Sequence, residues 1–189
     1  MFKKTLLATA TSAALLGPIA AFAAGDMGQG TITFTGSVTE APCSITAADS
    51  NQVIDLGQIS KKDLNAANKV STSVPISIHL AGCSFGTPTG TPATNLSKVG
   101  IAFTGAVNDA ATGKLTNTGT AANVVVQILD KSNTTPVNFT TAPSAANAQQ
   151  MTDGGGAGNA LNFFARLFAT GVGGAGTVNS SVTYTLSYF

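Results

Sequence analysis

One histidine, two cysteines, one glutamate and seven aspartates are the side chains in this sequence that most often carry chemistry. The lone histidine, His79, rules out a zinc site built from several imidazoles, and Cys43 and Cys83 are too few to complete one. Counting alone leaves His79 open as the base of a Ser-His-Asp triad, because Ser and Asp are plentiful. It falls, however, on the polar side of an alternating segment, where an imidazole facing solvent or hydrogen-bonded locally is expected. Glycoside hydrolysis needs two carboxylates facing one bond, and Glu40 and the aspartates form no suggestive cluster. Gly171-Val172-Gly173-Gly174-Ala175-Gly176 matches the dinucleotide pattern Gly-x-Gly-x-x-Gly, which works only where a helix follows with its N-terminus at the pyrophosphate. Here a strand-like Thr-Val-Asn-Ser-Ser-Val-Thr-Tyr follows. The glycines from Gly154 to Gly158 lack the Lys-Ser/Thr of a phosphate loop and read as a flexible connection. No catalytic, cofactor-binding or metal-ligating residue is assigned, and a protein without enzymatic activity or cofactor is expected.

The cysteines take their meaning from the N-terminus. Met1 to Lys4 carries two lysines, Thr5 to Ala23 is uncharged and mostly apolar, and Ala21-Phe22-Ala23 is a small-x-small cleavage site. These are the parts of an export signal over residues 1–23. The apolar stretch is short for a membrane span and is interrupted by Gly17-Pro18, so no span is expected in the mature chain. Export to an oxidising compartment lets Cys43 and Cys83 bridge. No Cys-x-x-Cys spacing accompanies them, which favours a structural bridge over a redox pair.

Charged residues are only 9% of the chain, and removing the signal leaves seven basic against eight acidic residues. That balance excludes a polybasic nucleic-acid binder, and the aromatics are too few for a base-stacking platform. Twenty-one glycines and many Thr, Ser and Asn residues argue against a helical bundle. An all-β chain with an uncharged polar surface is expected.

The elements follow from periodicity. Gly30 to Val38 alternates strictly, with Gly30, Ile32, Phe34, Gly36 and Val38 on one parity and Thr or Ser on the other, the strongest strand signal in the sequence. Val74 to Leu80 alternates again. Val53 to Ile59, Val99 to Phe103, Val124 to Leu129, Leu161 to Ala169 and Val178 to Tyr188 read as further strands, with Gly57 bending the first. Ser60 to Asn68 could form one helical turn capped by Ser60. Residues 86–94, 108–123 and 140–158 read as loops. Short strands separated by turn signals indicate a β-sandwich.

Gly28 to Ile45, reading Gly-Gln-Gly-Thr-Ile-Thr-Phe-Thr-Gly-Ser-Val-Thr-Glu-Ala-Pro-Cys-Ser-Ile, resembles the start of a chaperone–usher pilin, above all the major rod pilins of P and type 1 pili. Asp55-Leu56-Gly57-Gln58-Ile59 and Leu80-Ala81-Gly82-Cys83 resemble the family's next blocks. Val126-Gln127-Ile128-Leu129-Asp130 and Phe164 to Gly171 resemble its central and penultimate strands. The family's C-terminal signature, a penultimate Tyr and a Gly fourteenth from the end, is matched by Tyr188 and Gly176. The last residue, Phe189, departs from the polar residue that ends many members.

The resemblance implies an incomplete immunoglobulin-like β-sandwich that lacks its final strand. It divides the chain into a signal peptide at 1–23, an N-terminal donor-strand extension at 24–36 and a pilin domain at 37–189. Gly30, Ile32, Phe34, Gly36 and Val38 would be the donor strand. Gly176, Val178, Val182, Tyr184, Leu186 and Tyr188 would line the strand bordering the acceptor groove. The residues themselves agree with a vacancy: the sequence stops just after its last strand, with nothing following to cover that strand's outer edge. Pattern alone leaves the plainer reading open, in which Ile32, Phe34 and Val38 belong to the first strand of a complete sandwich and Gly176 is a turn residue. The implied partners are identical or related pilin subunits, a periplasmic pilus chaperone and an outer-membrane usher. The implied product is a structural fimbria (pilus) reached through the periplasm and displayed on the cell surface for adhesion. The alternative is a minor or tip subunit that binds a glycan receptor.

Overall fold

A computed structural model describes residues 30–36, 38, 41–87, 89–90 and 95–189. The export signal at 1–23 and the first residues of the extension lie outside these. The chain forms two units, Met1–Val38 and Thr39–Phe189.

Among its described residues the second unit holds nine strands: β1 Ser44–Ile45, β2 Val74–Ala81, β3 Lys98–Gly105, β4 Val107–Asp109, β5 Lys114–Leu115, β6 Val124–Leu129, β7 Gln149–Gln150, β8 Gly155–Ala169 and β9 Val182–Tyr188. They make a six-stranded sheet in the order β1-β2-β8-β6-β5-β4 and a three-stranded sheet in the order β7-β3-β9. Every ladder is antiparallel. Phe103 of the small sheet packs with Val126, Ile128 and Leu167 of the large one, and Val99 packs with Ile78 and Leu161. Apolar side chains from both sheets therefore meet in one layer, which is the all-β sandwich expected from the pattern.

The alternation in β2 places Ile78 and Leu80 in the core and leaves Pro75 and His79 exposed. β6 has no such alternation because both of its faces are covered, and all six residues are buried. Such burial on both faces is what a short run, apolar here but for Gln127, encodes between turn signals. Ser60 caps a 3-10 turn at Lys61–Leu64, its hydroxyl accepting from the Lys62 N–H. Leu64 anchors that turn in the core.

Several expectations need correction. Residues 108–123 were expected to be loop, yet they contribute to β4 and hold β5; residues 140–158 hold β7 and the start of β8. These two- and three-residue strands exist because tertiary partners recruit them, as in Lys114↔Gln127 and Val99↔Gln149. The glycine run read as a flexible connection continues β8 instead, with Gly155 opposite Ala81. A Cβ at Gly155 would stand 3.3 Å from the Ala81 Cα, and its φ of +101 lies where side chains are disfavoured. Val53 to Ile59 and Val178 to Ser181 join no ladder among the described residues, although both were expected in strands. Gly57 does bend the first of these, with φ +72 and its N–H donated to Asp55 Oδ1. Gly30 to Val38, the clearest strand signal of all, is also unpaired at its described positions. A strand's main chain needs a neighbour, and the described residues of this segment join no ladder.

Cys43 and Cys83 are bonded, with Cα atoms 4.1 Å apart, and both are buried. The bridge lies beside the β1–β2 pairing, where Ser84 N–H also donates to the Pro42 carbonyl. Replacing both with Ser frees a loop spanning 40 residues in the unfolded chain. The chain-entropy model then gives a stability loss of about 4 kcal/mol, to be read as a lowered denaturant midpoint with a raised m-value, because the unbridged unfolded chain is less compact.

Candidate functional site

The second unit carries a groove of about 1150 Å³. Two extended stretches line it, residues 51–59 and 173–182, and its floor is core: Leu64, Ile76, Leu115, Val126, Ile128 and Leu167. These floor residues belong to one of two buried clusters. The other cluster contains the disulfide and is closed over by Tyr184, Leu186 and Tyr188. One half of the sandwich core is thus sealed and the other opens into the groove.

The edge of β9 explains the opening. Lys98 and Phe189 exchange both main-chain bonds, at 3.1 and 2.9 Å. In an antiparallel ladder the bonded pairs alternate, so by register the next are Gly100 with Ser187, Ala102 with Thr185 and Thr104 with Thr183. The N–H and C=O groups of Val182, Tyr184, Leu186 and Tyr188 therefore point away from β3. Among the described residues β9 has no partner on that side. Upstream the same parity persists: Thr177 and Asn179 accept from the Ala121 and Thr118 N–H groups at 3.0 and 2.8 Å. Val178 and Val182 pack on the open cluster, Leu186 and Tyr188 on the sealed one, and Tyr184 on both.

Gly176 is held against neighbouring backbone. A Cβ there would stand 2.5 Å from the Ala121 nitrogen and 2.6 Å from the Thr120 carbonyl carbon. The chain can run this close to the 117–121 loop only without a side chain.

Both tyrosines of β9 tie it to the segment leading into the groove. Tyr184 donates to the Asp49 carbonyl at 2.8 Å and Tyr188 to the Cys43 carbonyl at 3.4 Å. Burial raises the Tyr184 phenol, and the nearby Asp49 charge adds to this. Burial also raises Tyr188, opposed by its bond to Cys43. Asp49 is itself a buried hub. Its carboxylate accepts from Thr46 Oγ1 at 2.6 Å, the His79 N–H at 2.8 Å and Gln52 Nε2 at 2.7 Å, and meets His79 Nδ1 at 2.8 Å. Burial alone would raise the Asp49 carboxyl; the bonds from Thr46 and His79 outweigh it and hold the group below its ordinary 3.8.

Asp49 and His79 have the geometry of two members of a triad. The third is missing among the described residues, because no hydroxyl is hydrogen-bonded to the other ring nitrogen. The sequence does contain Gly82-Cys83-Ser84-Phe85-Gly86, which spells the Gly-x-Ser-x-Gly elbow. That pattern requires a strand, a sharp turn and a helix. Here β2 ends at Ala81, Cys83 is in the disulfide and no helix follows among the described residues. Gly171 to Gly176 likewise leads into extended chain, and its residues from Gly173 onward line the groove wall. Among the described residues no group of three metal-ligating side chains occurs, and no helix is long and apolar enough to cross a membrane.

The first unit, taken by itself, presents Ile32, Phe34 and Val38 at 78%, 88% and 102% exposure. Cβ atoms built on Gly30 and Gly36 would meet nothing within 4 Å. Large apolar side chains so bare in an alternating segment mark an interaction surface.

A family model described as fimbrial protein matches residues 32–189. The chain is 32% identical to the type-1 fimbrial protein A chain of Escherichia coli, with 98% of each chain covered. Among solved structures it is similar to the P pilus rod subunit PapA, at 26% identity and a TM-score of 0.63, covering 79% of this chain and 100% of that one. A chain from a chaperone–usher pilus solved in connection with rod uncoiling aligns at 26% identity and a TM-score of 0.64, covering 86% and 97%.

Two outcomes follow from this geometry. Gly176→Ala forces the 117–121 loop away from the groove wall and lowers unfolding free energy by about 1–3 kcal/mol, the usual range for an overpacked site, measurable by denaturant titration. Stability also falls in acid. A carboxyl whose folded value is depressed contributes stability above its unfolded value and loses it as pH drops through the folded one, so the decline sets in below about pH 4. Asp109, held low by the Thr112 hydroxyl and by Lys114, titrates in the same window. Asp49→Asn should therefore flatten part of the decline, and an unaltered pH profile in that variant would contradict the role given to Asp49.

Proposed function

Since the chain belongs to the fimbrial protein family, we propose that it is a structural pilus subunit that polymerises by donor-strand exchange. Members of this family form surface fimbriae of the chaperone–usher type and are structural proteins, not enzymes. The observation that carries the finer reading is the pairing of two complementary deficits. β9 has an unpartnered edge over a groove floored by core side chains. The segment Gly30 to Val38 is unpaired at its described positions and presents bare apolar side chains at Ile32, Phe34 and Val38.

A strand seated on β9 joins its ladder to the main-chain groups of Val182, Tyr184, Leu186 and Tyr188, the mode of strand addition. Ile32, Phe34 and Val38 of one subunit then cover the floor of the next, and Gly30 and Gly36 sit where the main chain must come close. Burying three such side chains contributes roughly 5–8 kcal/mol, and each ladder bond adds about 1 kcal/mol net. Donor and acceptor surfaces differ, so the contact is head-to-tail and does not close on itself; its product is a fibre. Before assembly the bare floor and edge need cover. In this reading a periplasmic chaperone lends a strand to β9, and an outer-membrane usher exchanges it for the donor of the incoming subunit. Residues 24–36 act as the extension and 37–189 as the acceptor domain.

Deleting residues 25–35 removes most of the donor while leaving β1 to β9 intact. Electron microscopy of cells producing this form should show no filaments, with the protein retained as soluble single subunits. Filaments of normal length and number would overturn the donor role.

A further inference from the structure

Beside the groove lies a second, smaller cavity of about 470 Å³, lined by residues from Ile59 to Thr72. We propose that it is a binding site for an acidic glycan. The size falls within the range of small-ligand sites.

Charge is the first support. With the export signal removed, three of the seven basic residues, Lys61, Lys62 and Lys69, fall within nine positions of one another. Lys62 and Lys69 both line the cavity, with Asp63 as its one acidic member. On a chain so sparing of charge this is its densest basic patch.

Preorganisation is the second. The wall carrying Lys69 is fixed to the end of β8: Asn68 N–H donates to the Ala169 carbonyl at 2.8 Å, Ala169 N–H donates to the Lys69 carbonyl at 2.8 Å, and Ser71 N–H donates to the Leu167 carbonyl at 3.0 Å. The wall carrying Lys62 is fixed by the Ser60 cap, by buried Leu64 and by the Gly173 N–H donated to the Leu64 carbonyl at 2.8 Å. The backbones that present the two ammonium groups are thus set before any ligand arrives, which removes an ordering cost.

Unused bonding capacity is the third. Among the described residues, the two ammonium groups, the Asp63 carboxylate, the Asn65 amide and the Thr72 hydroxyl take part in no hydrogen bond or ion pair, the ion pairs being His79–Asp49 and Lys114–Asp109. Ammonium donors suit a carboxylate or sulfate ester, while the carboxylate, amide and hydroxyl suit the hydroxyls of a sugar ring. Ile59 and Val70 provide an apolar strip for the ring's C–H face. No aromatic side chain lines the cavity, so a sugar ring has no aromatic face to stack on and each site is weak. A polymer of this chain would repeat the site once per subunit, and multivalency would then raise a weak affinity to a useful one.

The test measures binding of the full mature chain, both as filaments and as soluble subunits, to hyaluronate, heparin and neutral dextran at about 0.15 M salt. Retention of hyaluronate identifies a carboxylate ligand and retention of heparin alone a sulfate ester; either supports the site, provided dextran is not retained. Lys62→Gln combined with Lys69→Gln should weaken that binding about tenfold, the loss expected for two exposed ion pairs, while Lys131→Gln leaves it unchanged. Equal retention of dextran, no retention of either anionic glycan, or equal effects of the Lys131 and the double replacement would overturn the proposal. Filament formation is scored separately by electron microscopy. Filaments that ignore acidic glycans refute the site and leave the assembly reading standing, and subunits that bind them without polymerising do the reverse.

Discussion

An edge strand whose main chain faces nothing is the constraint around which this molecule is organised. β9 is satisfied on the β3 side, and its other row of N–H and C=O groups meets no strand among the described residues. Such a row is costly beside a dry core and adhesive beside another chain. The apolar floor exposed next to it has the same cause, because the strand that would satisfy the edge would also cover the floor. Hydrogen bonding and apolar burial are coupled here, and whatever supplies one supplies the other.

The rest of the domain keeps that vacancy from collapsing. At one end the Tyr184 and Tyr188 hydroxyls hold the 43–49 segment to β9, and the Cys43–Cys83 bridge ties it to the chain just past β2. Asp49 then fastens the same segment to β2 through the His79 main chain and ring. At the other end, Gly176 lies directly on the Thr120–Ala121 backbone, and the 177–179 stretch is bonded to 117–121. The groove is spanned between two rigid ends, which stop its walls from closing over the floor in the absence of a partner.

Much of this is written locally. β2 follows from strict alternation and β6 from a run that is apolar but for Gln127, since each pattern reflects how many faces the strand buries. The disulfide follows from export and from there being only one pair to form. The short strands β5 and β7 are not legible, because two residues carry no periodicity and their pairing depends on distant partners. Gly155 misleads for a related reason: glycine signals a loop, but here it admits the Ala81 backbone at close range. Of the site, the parity of the β9 residues is readable from spacing alone. The Asp49 hub is not, since it joins residues 30 and 135 positions apart and only folding brings them together. The Gly82–Gly86 pattern shows the opposite failure, a chemical motif spelled out by a strand end and a cystine.

The composition of the groove has a consequence for the medium in which it operates. Of the side chains lining it, only Asp55 and Lys61 carry charge, and the remainder are apolar, amide or hydroxyl. Attraction between charges is what dissolved salt weakens, and apolar burial is strengthened, if anything, by excluded salts. A joint made in this groove owes little to ions, so it should hold as firmly in brine as in fresh water.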